Sequence, residues 1–400
     1  MRKFGLLPKI LIAIVLGIVC SLFFPMWAAR IFETFNSIFS NFLGMFIPLL
    51  IIGLVAPAIA DLGRGAGKLL LYTVLLAYLS TILAGFVSYF TCRWTFPSLL
   101  GGSIGAFDGF DTSNAVTPYF TVQMPAFINV VTALVFAFIL GLGSAALPNQ
   151  PLKGFLDDFR SIINITIKKF IIPCLPVFIY GIFLKMGVEG QVASVVGVFI
   201  KIIIVILVLH VGVLICQFLI AGAISGKNPF KALVTMLPAY ATALGTQSSA
   251  ATIPVTLDCT KKLGVRPEVA GFTIPLCATV HMPCSILKIT ACSFAVSFTM
   301  GTAIDLGTYA GFILMLAITM VAAPGVPGGA VMAALGVISS MLGFDANMQG
   351  LIIAIYIALD CFGTAGNVTG DGALSLIIDK IRGDRTDPVP QAESAIPAGE

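Results

Sequence analysis

Polar residues are concentrated near the C-terminal end of the chain, in the segment Asp360–Asp371, D-C-F-G-T-A-G-N-V-T-G-D, whose flanks have the composition of a membrane span. An ionisable side chain at bilayer depth costs about 2.5–3.5 kcal/mol on insertion scales, so it usually faces a partner, a cavity or an ion. On a helix, Asp360, Asn367 and Asp371 follow one another at i, i+7 and i+11 and share a face. We therefore expect this face to line a site for a small polar ligand or an ion.

A second polar interruption, A-L-G-T-Q-S-S-A-A-T-I-P-V, lies within residues 229–260. A helix that breaks there exposes backbone N–H groups at the positive end of its dipole, which suits a carboxylate. Ser248 and Ser249 would add hydroxyl donors. The competing interpretation is that these hydroxyls only bond back to their own helix. The Q-S-S pattern beside a break favours ligand binding.

Residues 308–342 repeat the same design of two apolar segments around a break, here A-A-P-G-V-P-G-G. Small residues and Pro make up almost all of the break from Ala323 to Gly329, so its backbone can approach a ligand closely. We expect Gly325 to contact the substrate and the segment to act as a mobile gate. Breaks of this composition also occur simply to let helices pack closely.

Residues 267–300 form a span that is broken at T-V-H-M-P-C-S, because Pro283 cannot continue the hydrogen-bond ladder of a helix. The side chains around this break are those of Thr279, His281, Met282 and Ser285, and we expect Ser285 to contact the substrate. An unwound turn releases carbonyl oxygens, which with Asp371 opposite would form a hard-oxygen site for Na⁺. His281 offers a proton as the alternative coupled ion, and a lone His at a helix break also commonly serves as a structural donor.

Lys288 lies one turn deeper in the same span, in K-I-T-A-C-S-F-A-V. It is too far from a helix end for its ammonium group to reach the membrane surface easily. A buried ammonium group needs an anion, and the sequence offers Asp360, Asp371 or the substrate.

The composition identifies an integral membrane protein, with 58% hydrophobic and only 10% charged residues, against about 25% charged residues in soluble domains. The nine Cys are scattered among apolar segments and indicate packing rather than disulfides or a metal site. The chain contains no G-x-S-x-G, H-E-x-x-H or P-loop pattern. We therefore expect a transporter or channel in a lipid bilayer, with no enzymatic role and no nucleic-acid partner.

The apolar pattern predicts an all-α polytopic fold of eight transmembrane helices plus two re-entrant helical hairpins. The predicted spans are 7–24, 36–60, 67–92, 124–147, 160–185, 194–222, the broken span 267–300 and a final span 347–380, with hairpins at 229–260 and 308–342. Two hairpins that enter from opposite faces indicate an inverted repeat with a site at the midplane. The alternative is that both are ordinary kinked core helices. The distribution of Lys and Arg places both termini in the cytoplasm, in a cell inner membrane.

Four features together, S-S-A-A-T-I-P-V-T, the broken seventh span, G-V-P-G and N-V-T-G-D, resemble the dicarboxylate/amino acid:cation symporters, the glutamate transporter family. The resemblance extends over about residues 5–380 and preserves the order of the elements. It implies a homotrimer whose scaffold comprises residues 1–66 and 93–193. Residues 67–92 and 194–380 would form a transport domain that moves as an elevator, and 381–400 a disordered cytoplasmic tail.

The resemblance also implies roles for individual residues. Asp360 matches the carboxylate that pairs with the substrate amino group, and Asn367 matches the amide that holds the substrate α-carboxylate. Ser249 matches a donor to that carboxylate, beside Ser248, and Thr364 lines the pocket. Asp371, with carbonyls near Cys277, His281 and Asn367, matches one Na⁺ site. A second Na⁺ site would comprise Thr279, Met282 and the carbonyls of Met320 and Ala323.

The departures from the family pattern affect ion number and substrate charge. The family's N-M-D-G-T is H-M-P-C-S here, so Pro283 replaces an Asp, and a family Thr-Ser pair aligns with Leu76 and Ala77. We therefore expect a third Na⁺ site to be absent. The Arg that binds an acidic substrate side chain in the family is replaced by Gly363.

Lys288 then has two interpretations. It supplies the lost positive charge and retains an anionic substrate, which is the interpretation that the sequence favours, or it neutralises Asp360 and leaves a neutral amino acid as substrate. The sequence thus predicts a symporter that moves an amino acid or a dicarboxylate with Na⁺. The alternatives are a proton-coupled symporter of small neutral amino acids (Ser, Thr or Ala) and an anion channel.

Overall fold

A computed structural model describes residues 6–62, 68–103, 116–147, 151–190, 192–302, 305–320, 323 and 328–383. Within these ranges all regular structure is helical, as predicted. The helices are α1 Leu6–Ser21, α2 Met26–Leu62, α3 Lys68–Leu100, α4 Val130–Ala146, α5 Pro151–Thr166, α6 Ile172–Val188, α7 Val192–Ser225, α8 Pro229–Thr246, α9 Ser249–Lys262, α10 Pro267–Val280, α11 Pro283–Thr299, α12 Leu306–Met320, α13 Gly329–Leu342, α14 Ala346–Ala358 and α15 Asp360–Arg382. A π-helical turn, Ile167–Ile171, joins α5 to α6.

The described helices include five that are long and apolar enough to cross a membrane, or six if the bent pair α14 and α15 counts as one span. One of the five is Pro267–Thr299, which comprises α10 and α11. The protein is therefore a multi-pass membrane protein. The predicted total of eight spans and the re-entrant character of the two hairpins stay predictions.

One group of helices packs around α2, which contacts α4, α5 and α6, while α1 packs on α6. The contact of α4 with α2 depends on Gly141, because a Cβ at that position would lie 2.6 Å from the Ile59 Cβ and 2.8 Å from the Ala56 carbonyl oxygen. Neither atom can move without moving α2, so Gly permits the close approach of the two backbones.

The second group surrounds α15, which packs against α7, α8, α9, α10 and α11, while α3 packs along α11. The helix pair α8 and α9 is the first predicted hairpin. It turns at Gln247, which has a φ of +53°, and the Ser248 side chain then caps α9 by accepting a hydrogen bond from Ala251 N at 3.3 Å. The two arms of the second hairpin are α12 and α13, which pack together.

Several predicted boundaries are wrong. Helix α2 begins at Met26 rather than residue 36, and α3 continues to Leu100, beyond the expected end at residue 92. Helix α15 extends to Arg382, so the predicted tail from 381 begins within a helix; residues 384–400 of that tail lie outside the described part. Long apolar helices give no local signal at the point where they leave the core, so pattern alone places their ends poorly.

The final span also differs from the prediction of one helix over 347–380, because α14 and α15 meet at Leu359 with a bend of 61°. The Tyr356 carbonyl, which a continuous helix would pair with the N–H of Asp360, accepts hydrogen bonds from Leu359 N at 3.1 Å and from Lys288 Nζ at 3.3 Å. A side chain that enters the backbone ladder is a recognised cause of a kink. The buried Lys of α11 thus stabilises the bend that places Asp360 at the start of α15.

Candidate functional site

The polar face of α15 lies inside the protein. Asp360, Asn367 and Asp371 are 6%, 4% and 1% exposed, and all three lie on the single helix α15, as their spacing predicted. Asp360 is at the start of this helix, beside the bend, whereas Asp371 lies in the middle, beside the break between α10 and α11. The face therefore has two separate polar centres, and Asn367 lies between them along the helix.

The first centre is an ion pair between Lys288 and Asp360. The Lys288 side chain is fully buried, and its Nζ lies 3.3 Å from Asp360 Oδ1 and 3.4 Å from the centroid of the Tyr356 ring. A cation over an aromatic face is attracted by the ring quadrupole. Of the two carboxylates that the sequence offered to Lys288, the structure pairs it with Asp360, whereas Asp371 contacts His281.

Asp360 also connects α15 to the second hairpin. Its Oδ2 accepts a hydrogen bond from the backbone N–H of Gly328 at 2.7 Å. Gly328 caps the start of α13 with a φ of +76°, a conformation that favours Gly. Both carboxylate oxygens of Asp360 are therefore engaged, one by an ammonium group and the other by the positive end of α13.

Gly363 provides the space for the Lys288 ammonium group. A Cβ built at Gly363 would lie 2.9 Å from Lys288 Nζ and 3.4 Å from its Cε. The family that the sequence resembles has Arg at the position of Gly363. In this protein α15 has no side chain there, and the Lys288 ammonium group of α11 occupies the adjacent space. Thr364, the next predicted pocket residue, is half-buried.

Asn367 holds α15 against the first turn of α11. Its Oδ1 accepts a hydrogen bond from Cys284 N at 2.8 Å, and its Nδ2 donates to Ser285 Oγ at 3.0 Å. The Tyr356 hydroxyl lies 3.4 Å from the same Ser285 oxygen. Asn367 and Ser285, both predicted to bind substrate, are therefore neighbours that already contact each other.

The second centre is a chain of polar side chains around His281. His281 Nδ1 lies 2.8 Å from Asp371 Oδ1, and His281 Nε2 lies 2.9 Å from Ser80 Oγ. Gln217 Nε2 donates to the same Ser80 oxygen at 3.0 Å. These three contacts are all hydrogen bonds if Gln217 donates to Ser80, the Ser80 hydroxyl donates to His281 Nε2, and His281 Nδ1–H donates to Asp371. In that arrangement the imidazole is neutral and Asp371 retains its negative charge.

Ser80, Thr81 and Gln217 were missed by the sequence prediction, which aligned the contribution of α3 with Leu76 and Ala77. Ala77 instead lies in an apolar cluster, whereas Thr81 Oγ1 accepts a hydrogen bond from Met282 N at 3.2 Å. The α3 residues that face the break are thus one turn later than predicted. The adjacent hydroxyls of Ser80 and Thr81 are a signal in the sequence, but only the rotation of α3 shows where they point.

Of the other predicted cation ligands, Cys277, Thr279 and Met282 lie at the same break, whereas Met320 and Ala323 lie at the end of α12. The Cys277 carbonyl accepts a hydrogen bond from His281 N at 2.9 Å, and Thr279 is exposed with its hydroxyl bonded to the Leu276 carbonyl at 2.8 Å. Met282 is 8% exposed and Met320 is fully buried, and the Met320 carbonyl accepts from Ala323 N at 3.0 Å. Gly325, predicted to bind substrate, lies outside the described residues.

The hydroxyls at the turn of the first hairpin lie close together. Ser248 and Ser249 are half-buried at the start of α9, and Thr246 Oγ1 lies 3.0 Å from Thr252 Oγ1. The Thr252 hydroxyl bonds back to the Ser248 carbonyl at 2.8 Å, which is the local pattern that the competing interpretation describes. The N–H groups at the start of α9 retain the character of an anion-binding helix terminus.

Comparison with known proteins places these features in one family. The model of the Sodium:dicarboxylate symporter family matches residues 6–381. A serine/threonine transporter (SstT) of Acinetobacter baumannii strain AYE is 28% identical over an alignment 393 residues long that covers 94% of this chain and 97% of the relative. A serine/threonine transporter of Acinetobacter baylyi is 25% identical over 392 residues, with 94% and 98% coverage.

Proposed function

Because the chain belongs to the sodium:dicarboxylate symporter family, we propose that it is a secondary active symporter that moves a small neutral amino acid, of the size of serine or threonine, together with a cation. The names of the curated relatives support an amino acid as the substrate. The ion pair between Lys288 and Asp360 supports a substrate whose side chain is uncharged.

The pairing of Lys288 with Asp360 is the observation that favours a neutral substrate. An acidic side chain that enters a desolvated pocket needs a cation, since an unpaired carboxylate there costs several kcal/mol. The Lys288 ammonium group is already engaged by Asp360 Oδ1, the Tyr356 carbonyl and the Tyr356 ring. The pair is neutral as a unit. This reverses the slight preference for an anionic substrate that the sequence suggested.

A zwitterionic substrate fits the remaining groups. Its ammonium group would bind Asp360 and its carboxylate would bind the start of α9, with Ser248 and Ser249 as donors and the Asn367 amide as a further donor. Its small side chain would lie near Ser285 and Thr364, where a hydroxyl of serine or threonine has polar partners. Gly363 would leave room for that side chain and for Lys288.

We propose Na⁺ as the coupling cation, bound beside Asp371. This carboxylate is buried, and among the described residues its only ion-pair partner is His281, which is neutral in the hydrogen-bond chain that uses each donor once. A buried carboxylate that has no positively charged partner attracts a cation strongly. The alternative is a proton, which would convert the same pair to an imidazolium and a carboxylate.

The wider mechanism follows from membership of the family. We propose a homotrimer in a cell inner membrane with both termini in the cytoplasm, in which an elevator movement transfers the site across the bilayer. Binding of the cation and of the substrate would be linked through the break between α10 and α11, which contacts α15 through Asp371 and Asn367.

Transport into liposomes tests the proposal. Purified protein should accumulate labelled serine under an inward Na⁺ gradient, and unlabelled aspartate or succinate in excess should not compete. Uptake that follows a pH gradient and is indifferent to Na⁺ would establish the proton alternative. Competition by the acidic compounds would refute the neutral substrate. Saturable current without accumulation would indicate the anion channel.

A further inference from the structure

Helix α7 carries a single histidine in an otherwise apolar stretch, I-V-I-L-V-L-H-V-G-V-L, and buries it inside the protein. His210 is 3% exposed, and its Nε2 lies 3.1 Å from the carbonyl oxygen of Cys284 in the first turn of α11. A carbonyl oxygen only accepts hydrogen bonds, so Nε2 carries the hydrogen and donates it. His210 therefore connects α7 to the helix that begins at the break.

The other ring nitrogen of His210 makes no such contact. Nδ1 is buried and has no hydrogen-bond partner among the residues that the structure describes. A protonated ring would bury a second N–H donor without an acceptor, so the ring is neutral and Nδ1 carries a lone pair. A buried acceptor without a partner costs at least as much as one ordinary hydrogen bond contributes. Stability alone therefore does not account for a histidine at this position, because an apolar side chain would avoid that cost.

Cys284, the residue that His210 contacts, is next to residues to which we assign the substrate. Its N–H donates to Asn367 Oδ1 at 2.8 Å, so its backbone is held by α15 on one side and by α7 on the other. The next residue is Ser285, whose hydroxyl accepts a hydrogen bond from Asn367 Nδ2 at 3.0 Å. The position of Cys284 thus determines how Asn367 and Ser285 face each other.

We propose that His210 is a positioning residue for substrate binding, which fixes the first turn of α11 against α15 through the Cys284 carbonyl. This inference rests on the proposed function, since it takes Asn367 and Ser285 as groups that bind the amino acid. Without the His210 donor, the Cys284 backbone loses its contact with α7, so the turn can shift and the two polar groups lose their common orientation. His210 acts through Cys284 rather than on the substrate itself. Its loss should therefore weaken substrate affinity and leave the rate at saturating substrate close to that of the unaltered protein.

Transport kinetics and thermal stability together test the proposal. His210→Leu should raise the KM for serine uptake at least fivefold, keep the maximal rate within twofold, and leave the melting temperature unchanged or raised. His210→Gln should keep KM within twofold, because its side-chain amide supplies a donor with a similar reach. The control Ile206→Leu conserves volume at a fully buried position one turn earlier in α7 and should leave KM unchanged.

Hydrogen–deuterium exchange of the Cys284 N–H is an independent measurement that needs no assumption about the substrate. Its exchange should become at least tenfold faster in His210→Leu and stay slow in His210→Gln and Ile206→Leu. Unchanged exchange in His210→Leu, or the same KM in the Leu and Gln variants of His210, would overturn the proposal. A lower melting temperature with an unchanged KM in His210→Leu would also overturn it, because His210 would then serve packing alone. The proposed function is judged separately, by whether the unaltered protein accumulates serine under a Na⁺ gradient.

Discussion

The hydroxyl of Ser80 provides a sharp test of the polar chain around His281. Helix α3 is placed so that Ser80 Oγ lies 2.9 Å from His281 Nε2, while the other ring nitrogen contacts Asp371 at 2.8 Å. Replacing Ser80 by Ala removes the donor to Nε2. Gln217 Nε2, which lies 3.5 Å from the same ring nitrogen, is itself a donor and is at the limit of hydrogen-bond length.

The expected magnitude follows from burial. His281 is 1% exposed, and a buried group that loses its partner costs about 1–3 kcal/mol. If the loss of this hydrogen bond destabilises only the conformation that binds the cation at Asp371, the Na⁺ affinity should drop about 5- to 100-fold. Each 1.4 kcal/mol corresponds to a factor of about ten in affinity. If the loss destabilises every folded conformation by the same amount, the melting temperature decreases and the Na⁺ affinity stays unchanged.

The assay is the Na⁺ concentration that gives half-maximal serine uptake, measured with the melting temperature of the purified variant. Ser98→Ala is the matched control, because Ser98 is an exposed residue of the same helix whose hydroxyl bonds locally to the Thr95 carbonyl. If Ser80→Ala changes neither the Na⁺ dependence nor the melting temperature, Ser80 does not face His281. The hydrogen-bond chain around His281 then has no role in holding the cation.

Three further predictions concern other parts of the molecule. Gly141→Val should destabilise the contact of α4 with α2 by about 1–3 kcal/mol, because its Cβ would lie 2.8 Å from a backbone carbonyl of α2. The control is Gly143→Ala, whose Cβ would have no atom within 4 Å, and this variant should leave the melting temperature unchanged or slightly raised. Gly363→Arg alone should abolish substrate binding, since even a Cβ there is 2.9 Å from Lys288 Nζ; combined with Lys288→Met it should bind aspartate, which a competition assay would show. Asp371→Asn should keep an acceptor for His281 but eliminate the stimulation of uptake by Na⁺, and persistent stimulation would place the cation elsewhere.

Much of the fold was predictable because its signals are local. A break in a helix needs Pro, Gly or polar residues at the break itself, so the interruptions at Ser248 and at Pro283 were visible in the sequence, and both are turns between helices in the structure. The common face of Asp360, Asn367 and Asp371 followed from helical periodicity alone. Helix ends were less predictable, because an apolar helix such as α3 continues for as long as its surroundings allow.

The sequence by itself determined the class of protein, the order of its helices, the positions of the breaks and the buried polar stripe of α15. Tertiary structure decided which residues meet. It paired Lys288 with Asp360 rather than Asp371, bent the last span at Leu359 and turned Ser80 rather than Ala77 towards the break. The physical reason is that periodicity specifies a face relative to its own helix axis, whereas the rotation and depth of one helix against another depend on packing over the whole interface.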